Sequence, residues 1–218
     1  MMNKRLKQGS TFLLAVALTF PLLTLPGAKA ANAIDTDAEC SIQFDIGGNS
    51  SELLSASIPV NLYKVASVDV SGNYTATGTF AKLDLSSVSA DNLDTAAATW
   101  SERAAEAKKL LKDDTEPTTT VTLTQGRGTA TRLKTGLYLV DTPKVITPNY
   151  TYTFTPYLVS LPTNNYYNGK DASDNWIYNL TGSNAVGLKT EQHVRYGNLV
   201  INKELVDHNA TFGDEATF

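Results

Sequence analysis

The chain has 218 residues, 42% of them hydrophobic and 18% charged, with a formal net charge of -4. That length and composition suit one full globular core and part of another. The mildly acidic balance offers no basic face for nucleic acid and is ordinary for an exported surface protein.

Met1 to Lys7 carries Lys4, Arg5 and Lys7, Thr11 to Leu25 is almost wholly apolar, and Ala28-Lys29-Ala30 puts small residues where a signal peptidase reads. These regions predict a secretory signal over residues 1–30, cleaved after Ala30 or, at Ala31-Asn32-Ala33, after Ala33. A retained membrane anchor is the competing reading, but the apolar run is short and broken by Pro21 and Pro26. The single cysteine, Cys40, leaves an exported chain without an internal disulfide, so mechanical robustness would rest on another crosslink or on a good core. Asp37-Ala38-Glu39 lacks the residues of a lipid-attachment site, which makes Cys40 a spare thiol near the mature terminus.

Ser41 to Ile46 alternates polar and apolar residues and runs into Gly47-Gly48-Asn49, predicting a half-buried strand and a turn. Ile58 to Val70 predicts a longer strand whose face Val60, Leu62, Lys64, Ala66, Val68 is apolar except for Lys64. Ser71-Gly72-Asn73 is a turn, and Tyr74 to Phe80 a further strand. From Ala90 the period changes: Leu93, Ala97, Trp100, Ala104, Ala107 and Leu111 recur at helical spacing, with Asp91 near the start and Lys108, Lys109 and Lys112 near the end. This predicts an amphipathic helix between strands, with Trp100 as its anchor on the sheet. Thr118 to Leu123 returns to strand character, and Gly126-Arg127-Gly128 reads as a turn with no phosphate-binding context.

The central stretch runs from Thr135 to Lys189. It opens with Thr135-Gly136-Leu137-Tyr138-Leu139-Val140-Asp141, a turn glycine followed by a short apolar run whose length and Tyr, Val and Leu content favour a buried strand over a very short helix. Tyr150 to Pro162 alternates aromatic or aliphatic residues with threonine up to Pro156, which places Tyr150, Tyr152 and Phe154 on one face. A polar loop leads to Trp176-Ile177-Tyr178-Asn179-Leu180 and then to Val186-Gly187-Leu188-Lys189. Thr190 to His193 reads as a polar linker, after which Leu199, Ile201 and Leu205 share a strand face with Lys203.

Catalytic constellations are poorly provided for. His193 and His208 are the only histidines, one in the linker and one near the end, so neither serine-histidine nor cysteine-histidine chemistry nor a zinc site has its parts. No cofactor or metal is expected, and the chain is not read as an enzyme. Asn-x-Ser/Thr triplets at Asn49, Asn73, Asn149, Asn179 and Asn209 are weak evidence of glycosylation in a chain so rich in Asn and Thr.

The ordered set Gly-Leu-Tyr-Leu-Val from Gly136, Phe-Thr-Pro-Tyr-Leu-Val-Ser-Leu-Pro from Phe154, Trp-x-Tyr-Asn-Leu from Trp176 and a lysine before a domain junction resembles the N-terminal domain of sortase-assembled pilins of Gram-positive bacteria. The resemblance covers roughly Ser41 to Gln192. Tyr196 to Leu205 and Asp214 to Phe218 resemble the first strands of a Cna protein B-type domain. Together they imply an all-β chain: an immunoglobulin-like sandwich with one inserted helix over residues 31–192, then the start of a second sandwich over residues 193–218. The chain reads as a truncated form of a longer protein, and no Leu-Pro-x-Thr-Gly sorting signal occurs in it.

What the resemblance implies chemically is lysine acylation, in two forms. An exposed lysine near the end of the first domain would be the nucleophile by which a class C-type sortase joins subunits. Lys189 matches by position, although Gly187-Leu188-Lys189-Thr190 stands in place of the family's Tyr-Pro-Lys-Asn, and Lys170 is a rival. A buried lysine would instead attack an Asn carboxamide polarised by a protonated acid, forming an internal isopeptide bond. Lys203 resembles the family's bond-forming lysine, with its Asn partner beyond Phe218. In the first domain Lys64 has a suitable face, Asp141 beside Leu137 and Leu139 would be the acid, and Asn179 or Asn184 the acceptor. An equally good reading has Lys64 at a sheet edge, its stem packed and its ammonium group in water. The functional expectation is a covalently polymerised shaft subunit of a surface pilus on the cell wall, with other pilin subunits as partners. The alternative is an adhesin module binding host protein or glycan through loops such as that at 164–175; Tyr166 and Tyr167 in that loop and Trp176 after it could stack on sugar, though such aromatics more often pack.

Overall fold

The computed structural model describes residues 33–47, 51–93, 95–164 and 176–196. The expected signal peptide, the loop carrying Tyr166, Tyr167 and Lys170, and the second-domain start with Lys203 lie outside these residues. In chain order the described elements are β1 (Glu39–Asp45), α1 (Ser51–Ser55), β2 (Ile58–Val68), β3 (Tyr74–Ala76), α2 (Ala97–Leu110), β4 (Thr119–Leu123), β5 (Arg127–Lys134), β6 (Gly136–Asp141), β7 (Val145–Ile146), β8 (Tyr150–Phe154), β9 (Tyr157–Leu161), β10 (Asn179–Leu180), β11 (Val186–Gly187) and β12 (Thr190–Val194). The described residues are thus mainly β, with one long helix inserted, as the sequence predicts.

Strand β6 shows how the layers are built. It lies between β2 and β9 in a sheet of order β3-β2-β6-β9, with β4 also paired to β2. Tyr138 and Val140 point into a core shared with Ile42, Phe44, Val60 and Leu62, whereas Leu137 and Leu139 point into a second core with Val65, Phe80, Trp100 and Ala104. A strand covered on both faces needs no polar alternation, which is why Gly136 to Val140 reads as one apolar run. The first core is closed by a sheet in which β1 pairs antiparallel with β5 and parallel with both β10 and β11. The second is closed by α2 and the segment around Phe80 to Val88. A third sheet, β12-β8-β7, contributes Tyr152 and Val145 to the first core.

Several elements differ from their sequence expectation, each for a physical reason. The strand expected over Tyr74 to Phe80 stops at Ala76, because Gly78 takes a positive φ of 56° and opens a single 3-10 turn over Gly78–Phe80. The helix begins at Ala97 rather than near Asp91. Asn92 is occupied instead by accepting the Trp100 indole N–H and the Ser89 amide, so the preceding turn is built from side chains. Strand β5 was not predicted; Gln125 and Gly126 make a tight turn and Arg127 already belongs to the return strand. The run from Tyr150 to Leu161 is two strands, since Pro156 has no N–H to donate and the chain changes sheet there. Finally, the expected linker Thr190 to His193 is strand β12, paired with β8 through Val194, so the junction expected after Gln192 falls inside a strand.

Candidate functional site

Lys189 sits where three strands meet. It directly precedes β12, and its carbonyl accepts the Thr155 amide at 2.9 Å, just before Pro156 sends the chain into β9. Its side chain is exposed, and the ammonium nitrogen stands 5.5 Å from the centroid of the Tyr157 ring, within range of a cation–π attraction. The Tyr157 hydroxyl donates to the Gly187 carbonyl at 3.2 Å, and burial of the ring pushes the phenol's pKa well above its ordinary value. The phenol is therefore a neutral, fixed support.

Beside this lysine runs a groove of about 840 Å³. One wall is α2, with Ala97, Trp100 and Ser101; the other is the segment carrying Ile177, Leu180, Asn184 and Val186. The floor is β9 from Tyr157 to Ser160. β9 ends its sheet, and among the described residues no strand pairs with its outer edge. Leu158, Val159 and Ser160 are themselves buried there, and Tyr157, at the Lys189 end of the floor, is half-buried. Trp100 is only 3% exposed, its indole N–H is committed to Asn92 at 2.9 Å, and its ring meets Tyr74 edge-on at 6.1 Å. It anchors the helix, as expected.

Lys64 occupies a different environment. It lies opposite Tyr138 on the face that carries Ile58, Val60 and Leu62 into the first core. Gly136 leaves room for it: a Cβ there would stand 2.8 Å from the Lys64 Cε and 2.4 Å from the Ala66 carbonyl oxygen. Burial lowers the Lys64 pKa, with Lys134 adding to that and Cys40 opposing it. Cys40, 1% exposed, has its thiol pushed up to about 11 by burial, against the pull of the Lys64 charge. The pair is a half-buried ammonium beside a neutral thiol.

The structure does not assemble the isopeptide constellation drawn from the sequence. Lys64 pairs with Tyr138, and Asp141 lies three positions further along β6, so strand alternation puts the two on opposite faces of the sheet. Asp141 faces the helix, where its carboxylate accepts from Lys108 Nζ at 2.5 Å. Asn179 belongs to the β1 sheet and accepts from Ser41 Oγ at 2.7 Å. Asn184 is exposed, in a 3-10 turn on the wall of the groove. A further correction concerns Lys64's own strand: a bulge between Lys64 and Ala66 breaks the expected Val60-to-Val68 face and turns Ala66 into the second core. Sequence reasoning missed Tyr157 and the groove; the one available sign was an aromatic residue directly after the proline that ends β8. Among the described residues no His, Cys, Asp and Glu side chains are grouped as metal ligands.

No family model matches the chain, and no curated protein matches it. Among solved structures it is similar to the fimbrial protein FimP from Actinomyces oris, at 20% identity and a TM-score of 0.42, over 73% of this chain and 31% of that one. It is likewise similar to the full-length major pilin SpaD from Corynebacterium diphtheriae, at 22% identity and a TM-score of 0.42, over 74% of this chain and 32% of that one. The chain spans about a third of the length of these two pilins.

Proposed function

We propose that this chain is the N-terminal part of a covalently polymerised pilus shaft subunit, exported to the cell surface, in which Lys189 accepts the acyl group of the neighbouring subunit from a sortase. The observation that carries the reading is the setting of Lys189: an exposed amine whose backbone is pinned to Thr155, beside a groove floored by β9, whose outer edge pairs with no described strand. A donor peptide lying in the groove would bring its terminal carbonyl toward that amine, and holding two reactants together is the main demand of an acyl transfer. In the step itself the deprotonated amine attacks an acyl group activated as a thioester on the transferring enzyme. The amide C–N bond forms, the C–S bond breaks, sulfur leaves as thiolate, and the amine proton passes to a base of that enzyme. The pilin is a substrate in this chemistry.

The test is a set of acceptor assays with a class C-type sortase and a sorting-signal peptide as donor. Wild-type protein and Lys170→Ala should gain the peptide mass, whereas Lys189→Ala should not, while keeping wild-type stability within about 0.5 kcal/mol because the side chain is exposed. Modification persisting in Lys189→Ala and vanishing in Lys170→Ala would move the role to Lys170. A monomer that accepts no peptide and binds glycan would favour the adhesin reading.

A further inference from the structure

We propose that Tyr157 is a positioning residue for the Lys189 amine, its ring holding the side chain at the mouth of the groove until the acyl carbonyl arrives. This rests on the reading of Lys189 as the acyl acceptor. An exposed lysine turns freely about four side-chain bonds, so its amine spends little time aimed in any one direction. Here both ends of the residue are referred to the same strand corner. The Lys189 carbonyl is bound by the Thr155 amide at 2.9 Å, and Nζ lies 5.5 Å from the centroid of Tyr157, two residues further on. The ring is itself held, because its hydroxyl donates to the Gly187 carbonyl at 3.2 Å and thereby bridges β9 to the segment that delivers Lys189. Tyr157 also lines the groove together with Lys189, so the ring that holds the amine forms part of the surface a donor peptide would follow.

The chemistry of the contact suits a resting position. A ring face attracts the ammonium ion through its quadrupole, and that attraction fades once the nitrogen loses its proton. The amine is thus held before reaction and released when it becomes a nucleophile, so the contact need not oppose the attack. The Tyr157 hydroxyl takes no part in proton transfer, because burial holds it protonated and it already donates to Gly187.

Two variants of the whole chain separate the ring from the hydroxyl. In Tyr157→Phe the ring remains and the bond to Gly187 is lost; in Tyr157→Leu both are lost. With the lysines carrying 13C-methyl groups, the Lys189 signal, assigned by its absence in Lys189→Ala, should lie upfield of the other surface lysines in wild type. It should stay upfield in Tyr157→Phe and return to the common position in Tyr157→Leu. In the acceptor assay on unmethylated protein, kcat/KM for the pilin should fall roughly five-fold in Tyr157→Leu and stay within about two-fold of wild type in Tyr157→Phe. Tyr157→Leu reacting at Lys189 as fast as wild type overturns the positioning role and leaves the acceptor reading intact. Wild-type modification at another lysine instead overturns the acceptor reading. If Tyr157→Leu does not fold, the wild-type spectrum decides: a Lys189 signal among those of the other surface lysines overturns the proposal.

Discussion

Lys64 and Lys189 are both lysines among apolar and aromatic neighbours, yet the fold gives them opposite circumstances. Lys64 is half-buried at the end of the first core, next to a thiol that stays protonated and on the sheet face away from Asp141. Lys189 keeps its amine in solvent, and among the described residues its backbone bond to Thr155 and one aromatic ring fix it. An internal bond needs an acid and an amide acceptor gathered around the amine, and Lys64 has neither Asp141 nor Asn179 in that relation. An external partner needs access and a surface to lie on, and Lys189 is exposed beside a groove. Lysine burial alone therefore does not mark the reactive group; the residues converging on the amine do.

The difference can be broken first at Gly136, whose φ of 149° and close contacts make the niche under Lys64. Gly136→Ala should cost about 3 kcal/mol or prevent folding, because the new Cβ collides with the Ala66 carbonyl as well as the lysine stem. A urea titration measures it, and a loss below about 1 kcal/mol would mean that β2 and β6 can move apart.

Lys64→Met sharpens the comparison with a smaller effect. Losing a half-buried charge should leave stability at pH 7 unchanged or raise it by up to about 1 kcal/mol. The pH dependence carries a sign. A lysine whose folded pKa lies below 10.5 makes stability rise with pH between the two values, because the unfolded chain holds more protons there. Cys40 acts in the opposite sense, its thiol being pushed from 9.0 to about 11, so its contribution falls over that range. Removing Lys64 should therefore steepen the loss of stability between pH 9 and pH 11, as read by denaturant titrations across that window. An unchanged slope would place the Lys64 ammonium group fully in water.

The smallest effect belongs to Asp141→Asn, which removes the ion pair with a half-exposed Lys108 and should cost less than about 1 kcal/mol. The intact mass should be the same in wild type and variant apart from the substitution itself. A wild-type deficit of one ammonia, restored in the variant, would show that an acid-assisted internal bond does form.

Much of the sandwich was legible because one-sided burial writes itself as alternation. β1 and most of β2 follow that pattern, and β6 betrays double burial by abandoning it. The helix was visible through the spacing of Trp100, Ala104 and Ala107, all fully or nearly buried. β5 and β12 were not, since β5 buries only Ala130 and Leu133 and β12 is exposed along its whole length. Strands held by main-chain pairing leave little trace in side-chain pattern. Lys189 could be picked out by its place after the Trp176-x-Tyr178 segment, whereas the Tyr157 contact depends on which sheets β8 and β9 join on either side of Pro156, and the proline itself marks only the break between them. The failed Lys64–Asp141 pairing has a similar origin: each residue shares a face with apolar neighbours, but only the register of β2 on β6 tells that the faces are different ones.

The proposed acyl transfer ends on one amine, that of Lys189. The most direct measurement is mass-spectrometric mapping of branched peptides released by protease from sortase-linked multimers. The expected result is a branch at Lys189, with the donor peptide's carboxyl carbon in amide linkage to Nζ, and Lys64 unmodified in the same digest. A branch at Lys64, Lys170 or any other lysine, with Lys189 recovered free, would contradict it.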